Sequence, residues 1–332
     1  MKISELKRLF KEAAGKYVAL GEAEYFAAEV VETDIRKSPE KKYEQGILND
    51  IRSWKEKTNV VEKTIDLPGY SQYNFHGLGP SLKIKEIHDE LEKKARTNGI
   101  AMVSIINSGG MHAMHLWTQG LAKRGLFALA GWNGGPDAVV PFNGTKGALG
   151  TNPITYGFPS DHGEVVVDMA TSEIPYFKIV AAKKNNTPLP PQTAVNNEGE
   201  ATTNPNEAID EHEISNLLPM GAGYKGYNIN YLIEIMTSTL IGSRASSEMS
   251  DAYIETEHGG FIIAIAINKV TDKNKYDASI KNMNEKIRTQ KPKKGVAHVI
   301  VPGDKNLQKK LKASDDTEIE VDEEYVKTLS SL

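Results

Sequence analysis

The chain has 332 residues, 39% of them hydrophobic and 25% charged, with a formal net charge of −4 at neutral pH. That is enough chain for a large apolar core and two domains. The 40 Lys and Arg residues are scattered, which argues against the basic footprint of a nucleic-acid binder, and the absence of cysteine removes disulfides, thiolate metal sites and cysteine nucleophiles.

The first twenty residues read as an amphipathic, charged helix without the apolar centre of a signal peptide. The longest apolar run, residues 261–267 (FIIAIAI), is too short to cross a bilayer. A cytoplasmic protein with neither a membrane nor a nucleic-acid partner is the expectation.

In chain order, residues 3–57 read as helices, with Leu6, Leu9 and Phe10, and then Phe26, Val30 and Val31, at helical spacing. A loop-rich stretch holds Pro68-Gly69 and His76-Gly77-Leu78-Gly79-Pro80. The pattern then alternates: a helix over 82–96, a strand over 100–106, a helix over 112–123 and a strand over 126–132. Further on come a strand over 165–167, a helix over 177–184 and a polar loop over 185–216 rich in Pro and Asn. An apolar helix over 226–241, strands over 261–267 and 297–301, and helices over 305–312 and 322–329 complete the chain. The expected organisation is an N-terminal helical part (1–66) packed with the C-terminal helices (305–332), and an α/β domain (67–304) that binds cofactor and substrate.

Neither GxGxxG between a strand and a helix nor GxxxxGK[ST] is present. A Rossmann dehydrogenase and a P-loop enzyme are therefore disfavoured, and a nucleotide would be held by another device.

The stretch Leu149-Gly150-Thr151-Asn152-Pro153, followed by Val167-Asp168-Met169-Ala170-Thr171-Ser172, resembles the LGTNP…DMATS core of the malate/L-lactate dehydrogenase-like family. Supporting blocks follow in the family's order: VSIINS at 103–108, VPFNG at 140–144, GYKGY at 223–227 and PGDK at 302–305. Together they cover roughly residues 76–312, and their ordered combination is far more specific than any one block. The resemblance implies a non-Rossmann α/β fold with a mixed central sheet, flanking helices and helical material from both termini. It also implies a homodimer and NAD- or NADP-dependent hydride transfer to a small 2-oxo/2-hydroxy acid or keto-sugar acid.

A Thr-Asn-Pro turn offers a hydroxyl and an amide for a carboxylate or carboxamide, so Thr151 and Asn152 are candidate substrate contacts. Asp168, Met169, Ala170 and Thr171 are candidate cofactor contacts, combining a strand-end carboxylate with small residues that admit a ligand to the backbone. Tyr224 and Lys225 at one helix start, and Gly303, Asp304 and Lys305 at another, offer cations and unpaired amides to phosphate.

One departure bears on the chemistry. The family carries a Ser-His-Gly-x-x-Arg motif in which the histidine is the proton donor and the arginine grips the substrate carboxylate. The matching segment here is Glu44-Gln45-Gly46-Ile47-Leu48-Asn49, and glutamine is no acid near neutral pH. Gly46 marks the start of a short helix, on which Arg52, one turn past Asn49, could take over the arginine's role. Lys178, which matches the Gly-Lys-Ile of the hydroxy-acid members, is the first choice for the proton donor, expected to be buried beside the cofactor. His112 and His115 follow it. The alternative is a nucleotide-binding member of the family that has lost or changed its catalysis. No metal is expected, because no carboxylate completes a ligand set with His112 and His115 and there is no HExxH.

Overall fold

The structure, a computed structural model, describes residues 1–36, 45–56, 60–110, 113–135, 137–210, 212, 214–249 and 257–332. Three helices open the chain: α1 (Ile3–Ala14), α2 (Leu20–Arg36) and α3 (Gln45–Glu56). Ile3, Leu6, Phe10, Ala13 and Ala14 form the buried stripe of α1, the spacing an amphipathic helix requires. Next come β1 (Glu62–Leu67), β2 (Tyr70–Asn74), a 3-10 turn (Pro80–Lys83), α4 (Ile84–Asn98), β3 (Ile100–Ser108), α5 (His115–Lys123), β4 (Leu126–Trp132), β5 (Ile154–Ser160) and β6 (Gly163–Met169). The second half holds α6 (Tyr176–Asn185), β7 (Ala194–Val195), β8 (Ala201–Thr202), α7 (Pro205–Ala208), α8 (Tyr224–Thr237), β9 (His258–Ala266), α9 (Ile267–Val270), α10 (Lys273–Arg288), α11 (Asp304–Leu311) and α12 (Glu323–Ser331).

The main sheet has seven strands in the order β1-β2-β3-β9-β4-β5-β6. Every neighbouring pair is antiparallel except β2 and β3. The central strand β9 arrives late in the chain and pairs with β3 on one side and β4 on the other, which explains its near-continuous apolar sequence. Its Gly260 is obligatory: a Cβ there would lie 1.5 Å from Cε3 of Trp132 across the ladder. Helices α4 and α5 pack against the sheet, as does α8 against β4 and β9.

The apolar core is continuous from α1 and α2 through α4 and the central strands to Tyr325 and Leu329 of α12. The sheet begins at Glu62, ahead of the boundary expected after residue 66, and the N-terminal helices share its core. The chain ends meet: Ile3 donates to the Thr317 carbonyl, Ile319 donates to that of Met1, and the rings of Phe10 and Tyr325 sit 6.4 Å apart. An ionic cluster ties α2 to α5, β6 and α11, with Arg36 fully buried against Glu164 at 2.5 Å and Lys123 2.8 Å from Glu32. Burial works to raise the Glu32 carboxyl, but Lys123, Lys310 and Arg36 outweigh it and hold the group at about 2.

Four expectations need correction. Residues 297–301 form no strand: Val296 and Ile300 are exposed and no ladder reaches them. The stretch before residue 80 holds the β1–β2 hairpin, and the 185–216 loop carries the small β7–β8 pair and α7. The helix expected over 112–123 starts at His115, while His112 lies outside the described residues. Strand β5 and helix α10 were not expected at all.

Candidate active site

The Thr-Asn-Pro turn enters β5 with Asn152 at φ +37°, a left-handed conformation that asparagine tolerates better than most residues. Asn152 is fully buried. Its Oδ1 accepts from the Gly134 amide at 3.0 Å, and its Nδ2 donates to Glu234 Oε2 at 2.7 Å. Gly134 is needed here, because a Cβ would come within 2.4 Å of the Asn152 nitrogen. The carboxylate of Glu234 also accepts from the Ser246 amide at 2.6 Å and its hydroxyl at 2.9 Å. Asn230, one turn earlier on α8, donates to the Gly150 carbonyl and the Thr171 hydroxyl. Thr171 in turn donates to the carbonyls of Thr151 and Asn152.

This network bears on two of the expected contact residues. The side chains of Asn152 and Thr171 point into the protein and are hydrogen-bonded within the turn and to α8. Thr151 is half-buried at the same turn. The residues that fix it, Glu234 and Asn230, escaped the sequence reading. The available signal was a polar pair at i, i+4 in the otherwise apolar stretch YNINYLIEIMT.

Asp168 lies near the end of β6, opposite Thr155 of β5. The N-terminus of α5 brings His115 onto it, with Nδ1 2.7 Å from Asp168 Oδ2. His115 is only 6% exposed, yet neither ring nitrogen has a well-directed hydrogen bond among the described residues. The contact with Asp168 is close but does not lie along a ring N–H. Other buried side-chain atoms, those of Thr33, Gln119 and Ser243 among them, share this condition, but His115 has a carboxylate beside it. Met169 and Ala170 follow on the accessible side of the same strand end.

The remaining candidates are more dispersed. Lys178 is exposed on the first turn of α6, so its expected burial is not met in the single chain. Arg52 donates to the Asn49 side chain at 3.0 Å, and α3 packs on the 80–83 turn and α12. Its guanidinium thus meets a neighbouring carboxamide. The helix bearing it starts at Gln45, and Gln45's side chain lies outside the described residues. Tyr224 and Lys225 are exposed at the start of α8, with the Tyr224 ring edge-on to Phe142. Gly303, at φ +87°, packs against Val165 and Val166 and leads into α11. Lys305 is exposed beside it.

Asp304 caps its own helix start and is ion-paired. It accepts from Arg288 at 2.8 and 3.2 Å and from the Val301 amide at 2.9 Å. Burial works to raise its carboxyl, but Arg288 and that amide prevail and hold it below the usual carboxylate range. The fit to a nicotinamide dinucleotide therefore rests on the buried imidazole of His115 beside the carboxylate of Asp168 and on the exposed lysines at two helix starts. No group of three or more potential metal ligands occurs among the described residues.

The fold is shared with solved dehydrogenases. The sulfolactate dehydrogenase of Methanocaldococcus jannaschii superposes with a TM-score of 0.84 at 22% identity, covering 100% of this chain and 95% of that one. The malate dehydrogenase of Entamoeba histolytica gives 0.81 at 19% identity, over 100% and 97%. A mixed-sheet, non-Rossmann dehydrogenase fold is thus the class of this chain. Residues 75–330 match the family model described as malate/L-lactate dehydrogenase, and the chain belongs to that family. Among curated relatives, the malate/(S)-sulfolactate dehydrogenase of Methanothermus fervidus is 29% identical over 82% of this chain and 77% of its own length. The NAD(+)-named ureidoglycolate dehydrogenase of Escherichia coli O157:H7 is 28% identical over 70% and 66%.

Proposed function

We propose that this protein is an NAD(P)-dependent oxidoreductase that interconverts a small 2-oxo acid, or keto-sugar acid, and its 2-hydroxy form, working as a cytoplasmic homodimer. Relatives whose names specify dehydrogenation of such acids support the reaction class. The observation that carries the reading for this chain is the buried His115–Asp168 pair, which offers an imidazole in a chain whose motif acid is replaced by Gln45.

A bound reduced nicotinamide would supply the hydride to the substrate's carbonyl carbon. Negative charge then builds on the carbonyl oxygen, and His115 delivers the proton that turns it into the hydroxyl. Asp168 lies 2.7 Å from Nδ1, which leaves Nε2 to give or take that proton. Thr151 is the candidate contact for the substrate carboxylate. Lys225 with Tyr224, and Lys305 with Gly303, are the candidate contacts for the dinucleotide phosphates.

The test is a panel of 2-oxo acids with NADH and with NADPH, using wild type and His115→Asn. Turnover by wild type that collapses in the variant is the expected result. The second reading, a nucleotide binder without catalysis, is favoured by Gln45 itself. Cofactor binding with no turnover on any substrate would establish it over the first.

A further inference from the structure

The face of the main sheet that holds the His115–Asp168 pair carries a second buried polar group. Ala130 opposes Thr155 across β4 and β5, and Thr155 opposes Asp168 across β5 and β6. Directly opposed residues point to the same face of a sheet. The Thr155 hydroxyl meets that of Thr118 on α5 at 2.9 Å, so this is the face that α5 covers. Trp132, two residues beyond Ala130, lies on the same face at the end of β4. Its amide donates to the Pro153 carbonyl at 3.2 Å, which seats it against the Thr-Asn-Pro turn. The benzene edge of the indole, Cε3 and Cζ3, is the part nearest Gly260 of β9. The opposite edge, with Nε1, is therefore turned away from β9, to the side where β5 and β6 lie. The residue is 2% exposed, and Nε1 has no acceptor among the described residues.

We propose that the Nε1–H of Trp132 is the donor that takes the substrate's carboxylate and so sets the neighbouring carbonyl against His115. The inference rests on the reading of a 2-oxo acid reductase given above. An indole N–H only donates, and leaving it buried without an acceptor costs ~1–3 kcal/mol. Packing over Gly260 asks for an aromatic ring, which phenylalanine would supply without that cost. A donor is also what the site lacks: Asn49 stands at the motif's arginine position, and Arg52 donates to that same Asn49. Strand geometry puts Trp132 and Asp168 two strands and two residues apart, roughly 12 Å between Cα atoms. The indole reaches inward from one end of that span, and the Asp168 carboxylate with the His115 ring from the other. The interval between them is of the order of a small oxo acid. Gly134, Thr151 and Pro153, all half-buried, border this end of the sheet and give the acid its way in. Thr151 then adds a hydroxyl to the indole's single N–H.

Proton–nitrogen NMR of the wild type, titrated with oxamate (an unreactive 2-oxo acid mimic) in the presence of NADH or NADPH, reads this without turnover. The chain has three tryptophans and so three indole N–H signals. The signal lost in Trp132→Phe identifies Trp132. Trp54, which donates to the Gly79 carbonyl at 2.8 Å, is the reference expected to stay in place. The Trp132 signal is expected to move downfield as oxamate binds. Calorimetry alongside separates two failures. Oxamate bound with the Trp132 signal unmoved overturns the assignment of Trp132 alone, whereas no binding with either cofactor overturns the 2-oxo acid reading and this inference with it. In steady-state kinetics, Trp132→Phe keeps a ring over Gly260 and removes the N–H. It is expected to raise KM for the 2-oxo acid about tenfold, with a much smaller change in kcat and with the cofactor's dissociation constant and the thermal midpoint unmoved. A lowered thermal midpoint with KM unchanged would return Trp132 to core packing and overturn the inference.

Discussion

Around Asn152, buried polar groups are matched to one another: Glu234 accepts from Asn152 and Ser246, and Asn230 and Thr171 close the ring of bonds on the Gly150–Asn152 carbonyls. At the start of α5, His115 is almost as deeply buried, yet its ring nitrogens have only the ill-directed contact with Asp168. The first arrangement spends its polarity on holding a shape. The second leaves polarity unspent, and a folded chain tolerates that where an incoming molecule makes up the difference. The side chains of Asn152 and Thr171, which carry the family resemblance, are bonded within the turn, whereas the proton donor proposed above is a histidine outside the Ser-His-Gly motif.

Substitutions sharpen that contrast. His115→Asn should lower turnover by about a hundredfold or more while leaving the thermal midpoint nearly unchanged, as measured by steady-state kinetics beside calorimetry. A large loss of stability with intact turnover would reverse the two assignments. Glu234→Ala should do the opposite, costing ~2 kcal/mol of unfolding free energy because the Ser246 amide and Asn152 amide lose their acceptor. Urea titration reads the cost, and an unchanged midpoint would mean that the network is dispensable. Lys225→Ala should weaken cofactor binding about tenfold through loss of a charge-assisted contact, and an unchanged dissociation constant by titration calorimetry would remove Lys225 from the site. The smallest effect is expected for Lys178→Met. Exposed on α6, it should change turnover less than about threefold. A hundredfold loss would restore Lys178 as the proton donor in place of His115.

Much of the fold was legible because apolar periodicity reports burial. The stripe of α1, the run at β9 and the helix at α4 all stand out. What stayed hidden shares a physical cause. Helix α10, KNKYDASIKNMNEKIR, buries only Asn284, so it carries no apolar stripe to read. Strand β5 contains Gly157 and Pro159, and β1 is exposed at every position. Conversely, the β-branched residues at 299–301 suggested a strand, but with no partner strand beside them local propensity alone does not make one. At the site, the motif residues could be named individually. Their orientation could not, since whether Asn152 turns toward a ligand or toward Glu234 depends on a helix more than 70 residues further along.

The meeting of the two chain ends sets an order on how the molecule is made. Helix α1 rests on α12, and the backbone of residues 1–3 is hydrogen-bonded to that of residues 317–319. During synthesis α1 emerges well ahead of α12, and the contact of Phe10 with Tyr325 waits for more than 300 further residues. Until then the apolar stripe of α1, although packed on α2 with Phe10 against Phe26, keeps one flank open, a state prone to aggregation or chaperone capture. A truncation before α12 would therefore leave α1 without part of its cover.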